Sequence, residues 1–181
     1  KASLPPAHSR HDAAELHRGT GPACILRRTP YARPMDNLRK TLRRYEDGRA
    51  RFVTFSTYRR LPLLANNAIK DRFASHLAHV RVQAGLRLFA WVVMPEHVHL
   101  VFLPGEQSGS TVLNGLKSPF AREVLARWRE LEAQILDRVT DDAGRQRFWQ
   151  RGGGYDRNIR DKDELVKKIR YVDENPVRRG L

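Results

Sequence analysis

The chain is short of cysteine, of long apolar runs and of acidic charge. Cysteine occurs once, at Cys24. That excludes an internal disulfide framework and a zinc site built from several thiolates, and it fits a reducing cytosol. The longest strongly apolar stretch is LFAWVVM at residues 88–94, far below the ~20 residues a membrane-spanning helix needs. The chain does not open with a charged start, an apolar stretch and a small-residue cleavage site, so secretion is not expected. Asp plus Glu number 20 against 34 Lys plus Arg, giving a net charge of +14. A surface so basic favours a polyanion, nucleic acid before an anionic membrane.

What is present suffices for a folded protein. The 181 residues are 40% hydrophobic and 30% charged, enough for one domain with extensions or two very small ones. Residues 1–34 mix Pro, Gly, Ser, His and Arg without helical or strand periodicity and read as a mobile basic tail. Met35 is the first methionine, and a chain starting there is an open alternative. Folded structure is expected from residue 50, with 1–49 as a flexible basic extension and 50–181 as the domain.

Within that domain, residues 51–57 (RFVTFST) alternate as a strand does. Residues 68–83 place Ile69, Phe73, Leu77 and Val80 at helical spacing, and Gly85 stops them. Residues 86–94 and 97–103 read as two strands joined by a Pro95-Glu96 turn. A long helix over about 111–136 puts Leu113, Leu116, Phe120, Val124 and Leu131 on its apolar side, and polar 137–147 is expected as a connection. Asp161 caps a last helix, with Glu164 as its capping-box partner; Leu165, Ile169 and Val172 form its stripe, and Asn175-Pro176 ends it. This order predicts an α+β, ferredoxin-like or RRM-like antiparallel sheet with helices packed on one face.

Two constellations carry chemistry. In PEHVHLV, strand alternation turns His97 and His99 to one face and Val98 and Leu100 to the other. Two imidazoles one strand-step apart can serve one divalent cation. An isolated His-x-His is equally two half-exposed histidines, but titratable rings at the centre of an apolar hairpin point to a site. On the last helix Tyr171 and Asn175 are four apart and share a face. Asn175 offers a hard carbonyl oxygen suited to Mg²⁺ or Mn²⁺. Tyr171 offers a phenol that needs a cation or base to act as a nucleophile; Arg170, Lys167 or a metal would help. The plain alternative is a tyrosine packed on the sheet and an asparagine closing the helix. His76 and His79 read as surface or boundary residues; His8, His11 and His17 lie in the tail. Trp91 reads as core and Trp128 as partly buried.

Together these stretches resemble the IS200-like Y1 transposases, and more closely the REP-associated tyrosine transposases, over about 51–181. The HUH signature (His, hydrophobic, His) falls on His97, Val98 and His99, and the helix-borne tyrosine and polar ligand fall on Tyr171 and Asn175, with Tyr155 kept as a second candidate nucleophile. The resemblance implies cleavage and joining of single-stranded, hairpin-containing DNA through a 5′-phosphotyrosine, with Mg²⁺ or Mn²⁺ on His97, His99 and Asn175. Ligation needs neutral imidazoles, so activity is expected to fall as pH drops through about 6.5. It further implies a bacterial cytoplasmic protein, nucleoid-associated when on DNA, monomeric or homodimeric. Arg59, Arg60, Arg122, Arg127, Arg129, Arg170, Arg178 and Arg179 are candidates to neutralise phosphates, and Tyr58, Phe148 and Trp149 to stack bases. The rival readings are a non-catalytic single-strand binder and a phosphoesterase using activated water.

Overall fold

The computed structural model describes residues 48–152 and 154–181. The tail with its three histidines and Cys24 lies outside the described residues, as does nearly all of the 1–49 extension. The elements run β1 (Arg51–Ser56), a single 3-10 turn at Tyr58–Arg60, α1 (Asn67–Gln83), β2 (Arg87–Met94), β3 (His97–Leu103), α2 (Gly109–Glu130), α3 (Ile135–Val139), β4 (Tyr155–Asn158) and α4 (Lys162–Arg178). The four strands form one antiparallel sheet in the order β2-β3-β1-β4. The expected α+β antiparallel architecture is therefore present.

The two faces of that sheet are covered differently. Val53, Phe55, Val98, Leu100 and Phe102 point toward α1 and α2, meeting Phe73, Leu77, Leu116 and Phe120 in the larger core. Rings of Phe55, Phe73, Phe120, Phe148 and Trp149 lie at centroid distances of 4.7–6.3 Å, mostly edge to face. Among the described residues the opposite face is covered by α4 alone, through a small cluster of Phe52, Ala90, Val101, Ile159 and Val172 with Leu165 and Ile169 packed against it. Burying Val172 on this face requires α4 to cross it, so the last helix lies on the other side of the sheet from α1 and α2.

Several local expectations are corrected. The long helix stops at Glu130, because Glu132 adopts φ +47° and the chain turns into the separate short α3. Leu131, expected on the apolar side, is thus 57% exposed. Asn175-Pro176 does not end α4; the helix runs two residues further to Arg178. In a last turn proline forfeits one backbone hydrogen bond, too little to end the helix there. Trp91 is 42% exposed instead of core, since β2 is an edge strand that the helices do not fully cover. Tyr58, Phe148 and Trp149 are buried, and the Trp149 indole donates to the Lys117 carbonyl at 2.9 Å. A base platform needs a free ring face, so the stacking role expected for Trp149 does not hold.

Two glycines are required by close approach. A Cβ on Gly154 would fall 1.5 Å from the Thr54 carbonyl oxygen, so β4 reaches β1 only with glycine there. A Cβ on Gly109 would collide with the guanidinium of Arg51. Arg51 is itself buried and forms a two-pronged ion pair with Asp156, at 3.0 Å and 2.6 Å, that ties β1 to β4.

Candidate active site

The site grows from strand alternation. His97 pairs with Ser56 and His99 with Thr54, so both imidazoles point to the α4 face. There they meet: His97 Nε2 lies 3.0 Å from His99 Nε2, with both rings nearly buried. The outer nitrogens are held. His97 Nδ1–H donates to Glu96 Oε1 at 3.0 Å, and His99 Nδ1 shares a 2.6 Å hydrogen bond with Thr54 Oγ1. Phe52 stacks on His99 at 5.6 Å and forms the floor beside it.

From above, α4 lowers Lys168, Tyr171 and Asn175, spaced three and four apart on one side of the helix. The Tyr171 ring lies 5.4 Å from the His99 ring and 5.8 Å from Phe52, both edge-on, and is 37% exposed. Asn175 is buried, its Nδ2 3.4 Å from His99 Nε2 and its Oδ1 without a hydrogen-bond partner among the described residues. The cation over the Tyr171 ring is Lys168, with Nζ 5.9 Å from its centre and 4.7 Å from that of Phe52. Helical spacing from Tyr171 selects Lys168 over its neighbour Lys167.

Electrostatics keep the imidazoles neutral. Burial, then the neighbouring His97 and Lys168, depress His99 to about 4. Burial also lowers His97, against an opposing pull from Glu96. For Glu96, burial pushes the carboxyl up, but Arg179, which donates to Oε1, and His97 outweigh it and hold it below the usual carboxylate range.

These donors fit a hard divalent cation. Ionised Glu96 can only accept, so His97 presents a bare Nε2 lone pair to His99. Without a cation the contact closes when His99 Nε2–H donates to it and Thr54 Oγ1–H donates to His99 Nδ1. The Thr54 hydroxyl also accepts, so the His99 tautomer can reverse and free its own Nε2. With both Nε2 atoms bare, His97 and His99 could turn their lone pairs to one cation. The orphaned Asn175 Oδ1 could serve as a third donor, since rotating its amide exchanges Oδ1 with the Nδ2 that faces His99. Among the described residues no group of three or more His, Cys, Asp or Glu is arranged to hold a metal; this set would need an amide oxygen as well.

The other candidates are distributed as follows. Tyr155 is opposite Thr54 on the same face, 49% exposed, its ring 5.8 Å from Phe52, which stands between it and the histidines. Arg60 lies 3.9 Å from Glu96 and Arg179 contacts it, so both flank His97. Arg59 and Arg60 both adopt positive φ, 51° and 53°, in an exposed turn. Arg178 pairs with Glu174, and Arg170 is exposed on α4. Arg122, Arg127 and Arg129 ride on α2 at the opposite face and are not brought to the site. His76 bonds the Gly115 carbonyl at 3.2 Å and His79 is exposed, as expected of non-site residues. Sequence reading missed Phe52, Thr54, Glu96 and Lys168. The alternation of residues 51–57 already put Phe52 and Thr54 on one face, and Lys168 precedes Tyr171 by three.

An antiparallel α+β sheet that sets a His-hydrophobic-His pair beneath a helix-borne tyrosine defines the HUH class with a single tyrosine. The match to the family described as transposase IS200-like, over residues 45–175, shows that the chain belongs to it: it is a Y1 transposase. Among solved structures the fold is similar to a REP-associated tyrosine transposase bound to a REP hairpin, at 22% identity and TM-score 0.55, covering 76% of this chain and 72% of that one. A candidate transposase from Deinococcus radiodurans matches at 19% identity and TM-score 0.47, covering 74% and 94%. No curated protein matches the sequence. Among the described residues no helix is long and apolar enough to cross a membrane.

Proposed function

We propose that this transposase is a metal-dependent single-stranded DNA endonuclease and strand transferase that acts on hairpin-containing DNA, such as REP elements, through a 5′-phosphotyrosine. The observation that carries the reading is the meeting, within one chain, of the His97 and His99 Nε2 atoms, the buried Asn175 amide and the Tyr171 ring. His97, His99 and Asn175 would hold Mg²⁺ or Mn²⁺, which when bound polarises the scissile phosphate.

Tyr171 supplies the nucleophile. Its oxygen bonds to phosphorus, the bond from phosphorus to the 3′ oxygen breaks, and the phenol's proton ends on that oxygen as a free 3′-OH. A 3′-OH from the same or another strand can reverse the step, so bond energy is conserved and no ATP is consumed. Arg60 and Arg179 beside His97, with Arg59, Arg170 and Arg178 nearby in sequence, would neutralise phosphates on an already strongly basic chain. The hairpin carried by the similar solved structure supports the same class of partner. One chain brings all four residues together, so the reading needs no residue from a partner subunit.

The test is a single-stranded oligonucleotide with a short hairpin, incubated with the protein and Mn²⁺ or EDTA. A denaturant-resistant protein–DNA band is expected with Mn²⁺ only, lost in Tyr171→Phe and kept in Tyr155→Phe. Binding without a band in any metal would instead support the non-catalytic binder.

A further inference from the structure

Glu96 sits in a tight turn, where an acidic side chain is ordinarily solvated, yet only 8% of it is exposed. Its backbone carbonyl accepts from Thr57 N–H at 3.0 Å, which pins the turn to the end of β1. One carboxylate oxygen, Oε1, then accepts from His97 Nδ1–H and from Arg179 Nη1–H, with Arg60 at 3.9 Å. Arg179 is the cap that follows α4, eight residues past Tyr171 and four past Asn175. A single buried carboxylate thus touches both halves of the site, the strand that carries the imidazoles and the helix that carries the phenol and amide.

We infer that Glu96 is a positioning residue that couples the His97 imidazole to the end of the tyrosine helix, so that Asn175 and Tyr171 are docked only over a correctly oriented histidine pair. The inference rests on the reading of that pair as a metal-holding site. Toward His97 the carboxylate selects the Nδ1–H tautomer and leaves Nε2 bare for a cation. Toward α4 it supplies the charge that fixes the last turn. The two effects separate chemically. Glu96→Gln keeps an oxygen for His97 Nδ1–H and removes the charge that holds Arg179. Arg179→Gln removes the helix contact and leaves the Glu96–His97 hydrogen bond in place. Glu96→Ala removes both.

The test uses the full chain and two readouts besides activity, with circular dichroism confirming that each variant folds. Free Mn²⁺ is titrated by electron paramagnetic resonance, and amide exchange is followed across residues 174–179. Glu96→Ala is expected to weaken Mn²⁺ binding about 10–100-fold and to speed exchange in the last turn. Glu96→Gln and Arg179→Gln are expected to speed exchange to a similar degree, with a much smaller loss of Mn²⁺ affinity. Glu96→Ala that changes only one readout, or neither, overturns the coupling. If the wild-type protein binds no Mn²⁺, the metal-holding reading fails by itself. The exchange arm then still decides the hold on α4, and unchanged exchange in Glu96→Ala and Arg179→Gln overturns that as well.

Discussion

The same two strands, β1 and β3, build two unlike surfaces by alternate residues. On one side Val53, Phe55, Val98, Leu100 and Phe102 disappear beneath two helices and a cluster of aromatic rings. On the other, Phe52, Thr54, His99 and His97 lie under one helix, and a buried amide oxygen is left without a partner. An unpaired buried acceptor costs free energy, about 1–3 kcal/mol, as do two imidazoles held neutral by burial. The first surface is organised for stability. The second carries these costs, as a face kept for a ligand under the proposed function would. Substitutions on the two sides should therefore separate cleanly into losses of folding and losses of chemistry.

The largest effects should be opposite in kind. Phe120→Ala, in the ring cluster, is expected to lower unfolding free energy by about 3–5 kcal/mol in a denaturant titration. Tyr171→Phe is expected to lower covalent adduct formation by ~10³-fold or more while leaving the denaturant midpoint where it was. A Tyr171→Phe protein that unfolds early would erase the distinction between the faces. Gly154→Ala should breach it from the other direction. The added Cβ meets the Thr54 carbonyl, so β4 must withdraw from β1, at about 2–3 kcal/mol. Thr54 also bonds His99, so adduct yield should fall with stability. Preserved adduct at reduced stability would show that β4 is dispensable to the site.

Acid sharpens the comparison further. Sequence alone placed the loss of activity near pH 6.5, the ordinary imidazole value. Burial holds His99 neutral down to about 4, so ligation should persist well below 6.5 and fail only as pH approaches 4. Stability carries the opposite signature. The unfolded chain takes up the His99 proton as pH falls through about 6.5, while the folded chain resists until about 4. Folding is thus progressively disfavoured between those values, and the whole penalty is present below them. Unfolding titrations between pH 4 and 8 should show this slope, and His99→Gln should flatten it. A rate profile that falls already at 6.5 would mean that the site is more open to water than its geometry shows.

The parts of this architecture that were legible in the sequence are those set by short-range periodicity. Period two gave the common face of His97 and His99, and period 3.6 gave the shared face of Tyr171 and Asn175 and the stripes of α1 and α4. What stayed hidden depends on contacts between distant segments. Nothing local distinguishes Trp149, whose indole finds a carbonyl on α2, from an exposed platform, or Trp91, which alternation makes apolar but an edge position leaves bare. Glu96 looked like an ordinary turn residue because its partner Arg179 is 83 residues away. The same limit explains the layers: periodicity shows that α4 has an apolar stripe, but which face receives it is decided by the small cluster around Val101 and Phe52.

The smallest expected effect probes how α4 is held. Asp161 caps the helix by accepting from Glu164 N–H at 2.7 Å, and the Glu164 carboxylate returns to Arg160 N–H at 2.9 Å, one residue earlier than in a regular capping box. Asp161→Ala should cost about 1 kcal/mol, read as a modest shift in the denaturant midpoint. Its reach along the helix should be short. Fraying confined to the first turn stops before Leu165, Ile169 and Val172, which pack on the sheet, and the far end is fixed independently by Arg179 on Glu96. Tyr171 lies between the anchors Ile169 and Val172, so adduct formation should change by less than about twofold in the Asp161→Ala protein. A tenfold loss would mean that the apolar stripe does not isolate the two ends, and that the phenol is positioned from the amino-terminal turn as much as from the carboxylate beneath the last one.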